Sequence, residues 1–69
     1  MVPEIGKKYF LWYEPHLYFF KSESRKYRGV GIYSGDSILE SDGKILYLFN
    51  DINNKIIGWF SADDIFFYD

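Results

Sequence analysis

The chain has 69 residues, no cysteine, one histidine and a net charge of −2. Length allows one domain, and the missing thiols exclude a disulfide framework, a thiolate metal cluster and cysteine chemistry. Sixteen residues are aromatic, seven Tyr, seven Phe and two Trp, more rings than so short a chain can hide. A domain of this size buries only about 60% of the surface its unfolded chain exposes.

In chain order the pattern is all-β. Ring-rich and β-branched segments alternate with short polar punctuation. Lys8–Tyr13 reads as a first strand, ended by Pro15, which has no amide hydrogen to give a ladder. Leu17–Lys21 reads as a second extended stretch and Ser22–Lys26 as a polar loop. Tyr27–Tyr33 alternates, with Val30 and Ile32 on one face and Gly29 and Gly31 on the other. Glycines inside a strand point to a bend or a close backbone approach.

Ser34–Ser37 has turn chemistry, Ile38–Glu40 resumes as strand, and Asp42-Gly43 is a hairpin signal. Lys44–Phe49 is a strand with both faces apolar. Ile45, Tyr47 and Phe49 lie on one face, Leu46 and Leu48 on the other. Asp51–Lys55 makes the next turn, and Ile56–Phe60 returns antiparallel. Ser61 and Asp64 are spaced as a capping box over a short helical turn, and Ile65–Tyr68 is the last strand. The expected core is Val30, Ile32, Leu46, Leu48, Phe60 and Ile65, with Tyr68 beside them.

The segment from Gly58 through Trp59, Phe60, Ser61, Ala62, Asp63 and Asp64 to Ile65 resembles the end of a Src-homology-3 barrel. Its glycine falls on Gly58, its inward apolar residue on Phe60, its one-turn 3₁₀ helix on Ala62–Asp64 and its valine on Ile65. The preceding hairpin is similar too, and Gly29–Tyr33 looks like a strand of bacterial SH3-like domains. The resemblance implies one five-stranded, antiparallel SH3-like barrel over residues 1–69 with a 3₁₀ turn near Ser61–Asp64. The family's peptide-binding proline and tyrosine fall on Ser61 and Asp64, so polyproline recognition does not carry over.

Chemistry finds little purchase. His16 sits beside Pro15 with no serine and orienting carboxylate spaced for a triad. Glu14, Asp36 and Asp42 have no deep pocket to share in so small a barrel. Asp51-Ile52-Asn53 opens like a calcium loop, but the glycine and the terminal glutamate are missing. The reading is a non-enzymatic chain without cofactor or metal.

The reading favours a protein-binding module, or a small regulator or inhibitor, using an exposed aromatic patch of Tyr13, Tyr18, Tyr33, Tyr47, Trp59 and Phe67. Trp and Tyr are the types most enriched among interface anchors. The partner is a protein of unspecified identity, and burial of the patch in a homodimer is the variant of that reading. The alternative is a nucleic-acid surface built from Lys21, Arg25, Lys26, Tyr27 and Arg28, where cations interleave with a ring. An isoelectric point near 5.2 counts against it.

Charge is segregated along the chain. Residues 1–34 hold six Lys/Arg against three Glu, and residues 35–69 hold two Lys against seven Asp/Glu. The acidic half suggests a further reading, an acidic phage-type inhibitor of a host DNA-binding protein. Abundant Ile, Lys, Asn, Tyr and Phe beside a single Ala suit an AT-rich genome, bacterial or phage. The N-terminus lacks a basic stretch leading into an apolar run, and no apolar run spans a bilayer. The expected location is therefore cytoplasmic, in the host if phage-encoded, without membrane association.

Overall fold

The computed structural model describes residues 1–13 and 27–68 in full, together with the backbone of Leu17–Tyr18 and Lys21–Ser22. The chain is all-β. Strand β1 is Lys8–Tyr13, β2 Leu17–Tyr18, β3 Lys21–Ser22, β4 Tyr27–Leu39, β5 Ile45–Asn50, β6 Ile56–Ser61 and β7 Ile65–Phe67, with one 3₁₀ turn, η1, at Ala62–Asp64. Five strands form an antiparallel sheet in the order β6-β5-β4-β1-β7, while β2 and β3 pair as a separate ribbon. No helix among the described residues is long and apolar enough to cross a membrane.

The sheet is rolled. Strands β1 and β6 are separated by β4 and β5, which in a flat sheet would hold them roughly 14 Å apart. Yet the rings of Tyr13 on β1 and Phe60 on β6 meet with centroids 6.5 Å apart, edge to face. The rolled interior holds Tyr9 and Leu11 from β1, Tyr33 from β4, Tyr47 and Phe49 from β5, Phe60 from β6 and Ile65 from β7. Phe49 is fully enclosed. It packs edge to face on Tyr9 at 6.1 Å and on Phe60 at 5.8 Å, and tilted on Tyr33 at 5.7 Å. Quadrupolar rings favour such edge and tilted contacts.

This interior corrects the expected core. Phe60 and Ile65 are inside, but Val30, Ile32, Leu46 and Leu48 are only half-buried on the outer side, and Tyr68 is exposed. The glycines decide the inversion. A Cβ at Gly31 would lie 2.5 Å from Leu11 Cδ1 and 3.2 Å from Phe49 Cδ2, so the backbone there makes room for packed neighbours. Turning the glycine row of β4 inward lets the large rings occupy the centre, which buries more apolar area than the aliphatic face would.

A second correction concerns β4, which runs unbroken through the supposed turn at 34–37. Its first half pairs with β1, from Tyr13↔Tyr27 to Lys8↔Ile32, and its second half pairs with β5. Gly35 has φ +102°, and the β4–β5 register shifts between Tyr33 and Ser37. Four β4 steps therefore face two on β5. Ser34 Oγ fastens the irregularity by donating to the Leu48 carbonyl at 2.8 Å. What reads as turn chemistry is a bulge that bends the long strand.

The other connections follow their sequences. Asp51 Oδ1 accepts from the amides of Asn53 at 2.8 Å and Lys55 at 2.9 Å, and Asn54 takes φ +65° to close the β5–β6 turn. Ser61 precedes η1 but gives no side-chain cap; its hydroxyl instead donates to Asp64 Oδ2 at 3.2 Å. The N-terminal segment closes one end. The Met1 ammonium donates to the Ala62 carbonyl at 2.7 Å, and the Glu4 amide donates to the buried Tyr9 hydroxyl at 2.8 Å.

Candidate protein-binding surface

Among the described residues the rolled sheet divides the rings between a filled interior and two outer surfaces. Tyr33 and Tyr47 belong to the interior. Each is only 7% exposed, and they meet edge to face at 5.6 Å. Both are therefore removed from the expected binding patch, for the same reason that the faces of β4 and β5 are inverted. The side chain of Tyr18 lies outside the described residues.

Tyr13 and Trp59 do come together. Tyr13 ends β1 and packs half-buried on Phe60, while Trp59 stands half-buried on the outer side of β6 opposite Leu48. Both line a groove of about 350 Å³. Its remaining wall includes Leu46, the carboxylates of Glu40 and Asp42 from the β4–β5 connection, and Asp64 of η1. The connection is held in shape by Asp42, whose Oδ1 accepts from the Lys44 amide at 2.9 Å, and by the Glu40–Lys44 backbone pair at 2.7 Å. The groove lining thus combines two rings and Leu46 with three acidic residues, Lys44 and Ser61. Rings and carboxylates in one lining have the chemistry to meet an apolar group bearing positive charge.

The second surface is the outer face of β4, β1 and β7. Phe10, Trp12, Phe66 and Tyr68 each remain 42–47% exposed. Phe10 opposes Val30 on β4 and Phe66 on β7, and its ring meets Tyr68 at 4.9 Å. Trp12 opposes Arg28, whose guanidinium carbon lies 4.9 Å from the indole centroid. Sequence reading passed over this cluster because β1 is apolar on both faces, Tyr9 and Leu11 on one, Phe10 and Trp12 on the other. The signal present was the pair of rings at positions 10 and 12 with no polar residue between them. Phe67 is 67% exposed at the edge of the sheet, apart from Tyr13 and Trp59.

The proposed basic segment divides. Arg28 is exposed on the outer face, but Tyr27 turns inward, with its ring 5.7 Å from Phe60 and its hydroxyl donating to the Val30 carbonyl at 3.4 Å. The side chain of Lys21, together with Arg25, Lys26, Glu14 and His16, lies outside the described residues. Among the described residues no three His, Cys, Asp or Glu side chains cluster as metal ligands. Comparison with protein-family models, with curated proteins and with solved structures finds no match to the chain.

Proposed function

We propose that the chain is a non-enzymatic recognition module of SH3-like architecture that binds a basic, partly apolar segment of another protein in the groove between Tyr13 and Trp59. The architecture is supported by the β5–β6 hairpin, the 3₁₀ turn between β6 and β7 and the return of β7 to β1. The observation that carries the reading is the meeting of Trp59 and Tyr13 with Glu40, Asp42 and Asp64 around one concavity. Rings supply desolvated contact area, and carboxylates at the rim select cations and speed their approach. With Ser61 and Asp64 at the two positions where the barrel family uses proline and tyrosine, the lining suits a lysine or arginine better than a proline. As a small regulator or inhibitor, the module would act by occupying such a basic segment.

Calorimetric titration with a short Arg/Leu peptide tests this. The expected affinity is micromolar, and Trp59→Ala, or Glu40→Lys with Asp42→Lys, weakens it by about tenfold or more. Equal binding of the same peptide with its arginines changed to glutamate would contradict the reading.

A further inference from the structure

The outer face of β4, β1 and β7 adjoins the groove at Tyr13, which also lines a concavity with Trp12 and Arg28, and differs from the groove in charge. It carries four half-exposed rings, Phe10, Trp12, Phe66 and Tyr68. Arg28 stacks against one of them, and Lys8 occupies the same side of β1. No carboxylate stands at the outward positions 8, 10, 12, 28, 30, 32 and 66, although the chain has ten. Of the described acidic residues, Glu40, Asp42, Asp51, Asp63 and Asp64 fall in the β4–β5 connection, the β5–β6 turn and η1, Glu4 precedes β1, and Asp36 lies on β4 beyond the half that pairs with β1. We infer that this face binds single-stranded nucleic acid, with bases stacked on Trp12 and Phe10 and phosphates met by Arg28 and Lys8.

Three features favour that occupant. First, area: four rings exposed at 42–47% offer roughly 350–400 Å², about half of the ~800 Å² that a stable protein interface takes from each partner. The ring area alone falls short of what a second copy needs and is wide enough for a narrow strand. Second, spacing: Phe10 and Trp12 lie two residues apart on one strand, a rise of about 6.8 Å, twice the 3.4 Å or so between stacked bases of one strand in duplex DNA. Only an unpaired, extended strand sets successive bases at that interval. Third, chemistry: ring faces accept any base, and a guanidinium resting on an indole stays available to a phosphate oxygen. An acidic peptide would use the two cations and leave the rings idle.

Fluorescence anisotropy of a labelled single-stranded DNA of about twelve nucleotides, with matched single-stranded RNA and duplex DNA arms, tests the inference. Micromolar binding of either single strand, weaker for duplex, is expected. With two cations in contact, the affinity should fall about sevenfold from 50 to 200 mM salt, a log–log slope near −1.4. Trp12→Leu, which keeps apolar surface and removes the platform, and Arg28→Glu should each weaken binding by about tenfold or more. Trp59→Ala should leave it unchanged, which separates this surface from the peptide groove. Circular dichroism and a cooperative melt identify folded variants, and the wild-type salt series decides the matter if Trp12→Leu does not fold. Four results would overturn the inference: no binding by wild type at 50 mM salt, tighter binding of duplex, preferential capture of poly-glutamate, or a doubling of sedimenting mass that Trp12→Leu abolishes.

Discussion

At Gly31 the fold leaves no room for a side chain. The space above its Cα is taken by Leu11, Phe49 and Ile57, with Leu11 and Phe49 themselves almost wholly enclosed. None of these groups is the loose end of a surface side chain, so an added methyl has nowhere to go. Gly31→Ala is therefore expected to cost about 1–3 kcal/mol through overpacking, read as a lower midpoint in urea at unchanged slope. Small domains of this length hold only about 3–5 kcal/mol from their core, so the variant should be marginal at room temperature. Wild-type stability in Gly31→Ala would mean that the glycine row of β4 faces outward. At the same scale, Tyr9 shows how a ring with a polar tip enters the interior: its hydroxyl is satisfied by the Glu4 amide.

At the scale of elements, turns and bulges organise the strands. Asp51 holds the β5–β6 turn through two amide hydrogen bonds to a single carboxylate oxygen. Asp51→Ala should lower stability by about 1–2 kcal/mol, and amide exchange should rise first at Asn53 and Lys55, where an unchanged exchange pattern would contradict the role given to Asp51. Strand positions were largely legible in the sequence: β1 falls on Lys8–Tyr13, and the limits of β5, β6 and β7 lie within a residue of those read from alternation. Which face turns inward was not legible. Leu46 and Leu48 compete with Tyr47 and Phe49, and hydrophobicity alone does not rank them; the choice was made on β4, where glycine next to Val30 and Ile32 clears space for rings. Ser34–Ser37 reads as a turn in the sequence because glycine at positive φ serves a bulge as well as a turn, and Gly35 serves the bulge. The expected site was split for the same reason. Tyr13 and Trp59 line one groove, Tyr33 and Tyr47 are interior, and the Phe10–Trp12 row is hidden in the sequence behind an equally apolar partner row.

Across the whole molecule, the charge imbalance between the two halves of the sequence becomes a separation of surfaces. The acidic residues Glu40, Asp42 and Asp64 gather at the groove beside Trp59, and Lys8 and Arg28 flank the rings of β1. Each surface thus has one of the two tryptophans and an excess of one sign of charge, and the two tryptophans stand on different strands. The central claim is that these are separate recognition surfaces, and the two indole N–H resonances report on them independently. In a heteronuclear NMR titration, the Arg/Leu peptide should shift the Trp59 indole resonance and leave that of Trp12 in place, while single-stranded DNA should do the reverse. Movement of both resonances together with either ligand, or of neither with both, would contradict the account.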